Sequence, residues 1–130
     1  MIVTTGDGLA SVRYIVDDVR AATDFYTSQL GFTLLSSAGG AFADVVRGPL
    51  RLLISGSASS GARATPGAYS EPGRNRIHLI LDDFDGEIDR LRAAGVSFRS
   101  DVVSGPGGRQ ILVADPAGNL IELFEPAGAQ

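Results

Sequence analysis

The chain has no cysteine, no tryptophan and no lysine, and it has a single histidine. Without cysteine there is no disulfide, no thiolate nucleophile and no thiolate metal site. The missing lysine removes Schiff-base chemistry, which needs an amine; all eleven basic residues are arginines. No apolar run approaches the roughly 20 residues that span a bilayer. Met1 to Leu9 shows neither the basic start nor the apolar stretch of a signal peptide, so a cytoplasmic location is expected. There is no P-loop, and no G-x-G-x-x-G between a strand and a helix. Gly105-Pro106-Gly107-Gly108 is glycine-rich but leads into a strand-like stretch and reads as a turn. A net charge of −4 argues against general affinity for nucleic acid or anionic membrane.

What is present suits an ordinary globular chain. The 130 residues are 44% apolar and 20% charged, which fits one domain over residues 1–130. Val12 to Val16 reads as a strand, and Asp17-Asp18 as helix caps. A helix follows over Val19 to Leu30, with Ala22, Phe25, Tyr26 and Leu30 on one face, and Gly31 stops it. Three strand-like runs come next: Phe32 to Ser36, Ala41 to Arg47 and Leu50 to Ser55. The second half repeats this order. Arg76 to Leu81 is a strand, Asp82-Asp83 the caps, Asp85 to Ala94 a helix with Ile88 and Leu91 inward, and Gly95 its stop. Strands follow at Val96 to Arg99, Arg109 to Ala114 and Leu120 to Glu125. The period is about 65 residues, too long for a solenoid, and marks a duplication.

The expected architecture is therefore α+β: two tandem βαβββ units, 9–55 and 76–126, forming a curled mixed sheet around a cleft with helices outside. The Gly/Ser/Ala/Pro-rich residues 56–75 connect them as a mobile segment or lid. Period-two alternation sets Val12, Tyr14 and Val16, with Ile77, Leu79 and Leu81, against the helices. Ser11, Arg13 and Ile15, with Arg76, His78 and Ile80, then face the other way. An interior sheet face holding two arginines and the only histidine is a candidate site.

Three segments resemble one family: the strand end Ile15-Val16-Asp17-Asp18, the helix end Phe25-Tyr26 to Leu30-Gly31-Phe32, and Asp115-Pro116-Ala117-Gly118-Asn119-Leu120-Ile121-Glu122-Leu123. Together with the duplication they resemble the vicinal oxygen chelate superfamily of glyoxalases, bleomycin-resistance proteins, fosfomycin-resistance enzymes and extradiol dioxygenases. The resemblance implies a metal ligand on each of four strands. Carried over, those positions fall on Ser11, Leu52, Arg76 and Glu122, and only Glu122 keeps a ligand type. Leucine has no donor atom, and a guanidinium stays protonated and cannot bind a cation. No metal cofactor is therefore expected, although His78 and Glu122 remain residual ligand candidates for a divalent ion. Arg76 is expected to contact Glu122 and satisfy its charge.

Each candidate has a plainer reading. His78 is a shifted ligand or general base, or a hydrogen-bonded histidine without chemistry. Glu122 is a remnant ligand, a base or an ion-pair partner. Arg13 is an anchor for a ligand carboxylate, phenolate or phosphate, or a solvated sheet arginine. Asp17, Asp18, Asp82 and Asp83 read as caps, not as a hydrolase carboxylate pair, and Asp115 reads as a turn former. Tyr69 could stack on a ligand, and Phe42, Leu52, Ile54, Leu112 and Phe124 form either a pocket wall or core. The leading expectation is a metal-independent protein that binds an antibiotic or aromatic metabolite. Arg13, Arg76, His78, Glu122, Ser11 and Leu52 line its site, and the chain pairs as a homodimer, as the resemblance implies. Three alternatives stay open. One is a glyoxalase-like lyase, isomerase or dioxygenase with a divalent metal at His78 and Glu122. Another is a metal-free enzyme with His78 as base. The last is an interaction domain without a ligand.

Overall fold

The structure is a computed structural model that describes residues 9–65, 67 and 71–128. It divides into two compact units, residues 1–74 and 75–130. Each unit follows the expected βαβββ order. The first holds β1 (Ala10–Ile15), α1 (Val19–Gln29), β2 (Thr33–Ala38), β3 (Phe42–Arg47), β4 (Leu50–Ser55) and a short α2 (Ser60–Ala64). The second holds β5 (Arg76–Ile80), α3 (Phe84–Ala93), β6 (Ser97–Phe98), β7 (Val103–Gly105), β8 (Gly108–Ala114) and β9 (Leu120–Pro126).

The first sheet has four strands in the order β1-β4-β3-β2. Its β1–β4 pair is parallel, and the other pairs are antiparallel. The second sheet has the order β5-β9-β8-β6, with β7 also pairing β8, and its β5–β9 pair is parallel. A parallel pair needs a crossover, and each unit supplies it through its long helix and the strands that follow. The result is an α+β fold built on two mixed sheets.

Local sequence explains the helices. The Asp18 carboxylate accepts the Ala21 N–H at 3.0 Å, and the Asp83 carboxylate accepts that of Gly86 at 3.2 Å. Both are N-caps, as their position predicts. Gly31 and Gly95 adopt φ of +73° and +80°, which a side chain disfavours and which ends each helix. In the first unit Tyr14, Ala22, Tyr26, Val45, Leu52 and Ile54 are fully buried, with Tyr14 and Tyr26 rings edge-to-face at 6.0 Å. The second unit buries Ile77, Leu79, Phe84, Ile88, Leu91, Ile111, Ile121 and Leu123. β5 alternates as expected, with Ile77 and Leu79 inward and Arg76, His78 and Ile80 exposed; in β1 Tyr14 is inward and Ser11 and Arg13 are exposed, but Ile15, expected on their face, is also buried, and Val12 is only partly so.

The Asp115-to-Asn119 turn is a structural latch. Asp115 accepts the backbone N–H groups of Ala117 and Asn119 and the Asn119 side-chain amide. Asn119 in turn accepts the Asn75 N–H at 2.9 Å, which aligns the start of β5 with β9. At the other end of the sheet Arg109 bridges Glu125 and Asp85 and lies over the Phe84 ring. Hydrogen bonds to Glu125 and then Asp85 hold the Arg109 pKa above its ordinary value.

Two features were not expected. Residues 56–75 are not all connector, since Ser59 caps α2 by accepting the Ala62 N–H at 3.1 Å. An additional strand, β7, forms a hairpin with β8 across the turn at Pro106-Gly107. Tyr69, considered above as a stacking residue, lies outside the described residues. Among the described residues no helix is long and apolar enough to cross a membrane.

Candidate functional site

The face of each sheet away from its helix mixes charged and apolar side chains. In the second unit β5 and β9 run in register, with Arg76 opposite Leu120 and His78 opposite Glu122. Arg76 donates to one oxygen of Glu122 from Nε at 3.2 Å and Nη2 at 2.8 Å. The expected contact is made, but both donors reach Oε1 instead of spanning the carboxylate. Oε2 turns toward His78, whose Nε2 lies 3.8 Å away, too far for a hydrogen bond. The His78 ring packs on Phe124 with centroids 4.8 Å apart. Glu122 is half-buried, while Arg76 and His78 are open to solvent. Arg76, His78, Glu122 and Phe124 therefore form one cluster.

The first unit carries a related but rearranged set. In register, Ser11 lies opposite Arg51 and Arg13 opposite Leu53. If β1 is matched to β5 through Ser11 and Arg76, then Arg13 takes the place of His78. Leu53, not Leu52, takes the place of Glu122. Leu52 is fully buried on the side of Tyr14 and Ile54, so its expected place beside Ser11 on the polar face is corrected. The cause is a difference in turns. Residues 48–49 join β3 to β4, whereas residues 115–119 join β8 to β9. Setting Leu52 against Glu122 matches Gly48 to Gly118, four residues earlier in each half; that slips the strand by one residue, and a one-residue slip moves every side chain to the other face. Ile54 is likewise core, whereas Phe42, Leu112 and Phe124 are only partly buried.

The carboxylate absent from Leu53 appears on the adjacent strand. Asp44 lies opposite Leu53, just as Leu112 lies opposite Glu122. Asp44 is buried and takes a two-pronged pair from Arg51, at 2.9 Å from Nε and 2.7 Å from Nη2. The Asp44 hydrogen bonds raise the Arg51 pKa above its usual value, against the opposing effect of burial. Arg13 Nη1 donates to Ser55 Oγ at 2.9 Å, and Ser55 Oγ donates to the Leu53 carbonyl at 3.1 Å. Asp44, Arg51 and Ser55 escaped the sequence reading. Period-two alternation from Arg13 across neighbouring strands would have found Arg51 and Ser55 once the register was known.

A hollow of about 500 Å³ opens beside Arg13. Its walls are Arg13 from β1, Ala38, Ala41 and Phe42 around the β2–β3 turn, and Ala58, Ser59 and Gly61 at α2. Such a volume lies within the roughly 300–1,000 Å³ of small-molecule sites. Ser11 is exposed on β1 and does not border the hollow among the described residues.

Comparison with known proteins places this geometry. No curated protein matches the sequence. Among solved structures, TnmS3, an antibiotic binding protein from Streptomyces sp. CB03234, is 28% identical over 98% of this chain and 99% of its own, with a TM-score of 0.71. A glyoxalase/bleomycin resistance protein from the same organism is 30% identical, with 89% and 98% covered and a TM-score of 0.66. Lactoylglutathione lyase from Agrobacterium tumefaciens shares the fold at 23% identity, with 92% and 93% covered and a TM-score of 0.73. The family model for the glyoxalase/bleomycin resistance protein/dioxygenase superfamily matches residues 8–123, nearly the whole chain, and this protein belongs to that superfamily.

Proposed function

We propose that the protein is a metal-independent small-molecule binding protein that takes up an antibiotic or aromatic metabolite. The observation that carries this reading is the pairing of Arg76 with Glu122. A guanidinium already pairs with the one carboxylate that stands where the superfamily resemblance implies a ligand. The donor chemistry around it does not fit a divalent ion. Beside Glu122 stand one imidazole and one permanent cation, and the matching row of the first unit offers Arg13 and Leu53. Catalytic zinc sites take three protein ligands, and among the described residues no group of three His, Cys, Asp or Glu side chains gathers. Asp44 is likewise committed to Arg51.

The antibiotic-binding relative at 28% identity supports the same reading. Within the first unit, the hollow beside Arg13 supplies apolar surface with a few polar groups, the usual composition of a ligand site. A homodimer in the cytoplasm completes the proposal. In support, edge strand β2 exposes all six residues, including Leu34 and Leu35, and free strand edges invite pairing.

The test is a thermal-shift screen of the purified protein against antibiotics and aromatic metabolites. A ligand that binds the native state raises the melting temperature, and this is expected with chelator present. Shifts that appear only after a divalent ion is added would favour the alternative, a lyase, isomerase or dioxygenase using His78 and Glu122. No shift with any compound would favour an interaction domain.

A further inference from the structure

Arg76 reaches only Oε1 of Glu122 and leaves Oε2 turned toward His78 Nε2 at 3.8 Å. Among the described residues neither Oε2 nor Nε2 takes part in a hydrogen bond. The Glu122 side chain is 18% exposed, whereas the imidazole is 46% exposed and open to an incoming group. The gap exceeds a direct hydrogen bond, yet one oxygen atom can lie about 2.7 Å from Oε2 and about 2.9 Å from Nε2 at once. The facing carboxylate favours the imidazole tautomer with its hydrogen on Nε2, so the pair offers one acceptor and one donor. Apolar surface adjoins it. The Phe124 ring lies 4.8 Å from that of His78, centroid to centroid. Across β5, β9, β8 and β7 the next row in register is Ile80, Phe124, Gln110 and Val103. Ile80 and Val103 are 55% and 57% exposed. Rows two residues apart along a strand are separated by about 6.8 Å, a step that a two-ring aromatic spans.

We propose that Glu122 and His78 together grip the hydroxyl of a phenolic ligand, whose rings extend over Phe124 and Ile80. The hydroxyl donates to Glu122 Oε2 and accepts from His78 Nε2. The proposal rests on the small-molecule-binding reading above and names its ligand class. A hydroxyl both donates and accepts at one atom, which is what the pair requires. A ligand carboxylate would be repelled by the charge of Glu122, and a ligand ammonium by that of Arg76. The exposed apolar row beside the pair matches the aromatic body.

The test is calorimetry on the full chain with 2-naphthol and its methyl ether, 2-methoxynaphthalene, which keeps the rings and loses the donor. Naphthol is expected to bind saturably and about tenfold more tightly than the ether, the worth of one hydrogen bond to a charged group. His78 is the only histidine, so its ring protons give a unique NMR signal, and naphthol should shift it. Glu122→Gln should shrink the preference for naphthol several-fold. His78→Phe should do the same; it keeps a ring beside Phe124 at an exposed position, so its melting temperature should hold. The proposal is overturned if naphthol fails to bind or if the ether binds as tightly. It is also overturned if the His78 signal stays unmoved, as when a second copy of the chain covers the apolar row, or if either variant keeps the preference in full. Should any of these occur while the thermal-shift screen still returns ligands, only the hydroxyl site fails. A screen that returns none removes the small-molecule-binding reading as well.

Discussion

Asn119 is fully buried and ties two pieces of the second unit together: Asp115, across its own turn, and Asn75, the residue before β5. Replacing it with alanine removes one hydrogen bond to the buried Asp115 carboxylate and one to the Asn75 N–H. Unsatisfied buried polar groups cost about 1–3 kcal/mol each, so Asn119→Ala should lower stability by about 2–3 kcal/mol in urea unfolding. The motif that most strongly suggested the family is thus a folding element, and its tie to Asn75 leaves Glu122 in register with His78. The Arg51–Asp44 pair makes a second case. Arg51→Leu alone strands a buried charge and should cost about 3 kcal/mol. Adding Asp44→Leu should recover most of that loss, because apolar replacements of a buried pair are often neutral. A double-mutant cycle measures the coupling; equal losses in the single and double variants would show that the pair is not what holds this face.

At the scale of elements, strands and helices were legible because each half shows clean alternation, Asp caps and glycine stops. Register was less so. The two halves align well at β1 and β5, but the hairpins before β4 and β9 differ in length, and composition does not show where a strand slips by one residue. That slip is why Leu52 reads as a site position in the sequence and is core in the fold. It is also why Arg51 and Asp44 were overlooked. The short helix α2 was hidden by residues typical of a linker, since its only visible start signal is the Ser59 cap. Turn geometry can be tested directly. Gly48 has φ of +57° with nothing within 4 Å of where a Cβ would stand. Gly48→Ala should therefore cost about 1 kcal/mol from backbone strain alone, without steric clash. Equilibrium unfolding checks this, and a loss several times larger would mean that the turn does more than set the hairpin.

For the molecule as a whole, the repeated βαβββ order places a matching row of side chains on each sheet, and the two rows differ. His78, Glu122 and Leu112 in one unit correspond to Arg13, Leu53 and Asp44 in the other. The carboxylate has changed strands, yet in both units an arginine holds it, Arg76 on Glu122 and Arg51 on Asp44. The second pairing is as informative as the first, because it meets the same chemical need with different residues. Net charge speaks only of bulk electrostatics, whereas ligand chemistry depends on which side chains share a hollow, and only the fold brings α2 against Arg13. The most direct test of the central claim is a zinc titration of the purified, chelator-treated protein, followed by calorimetry and metal analysis. Arginines on both carboxylates should leave no tight, saturable uptake. One ion held firmly per chain, and released when Glu122 is changed to glutamine, would contradict it.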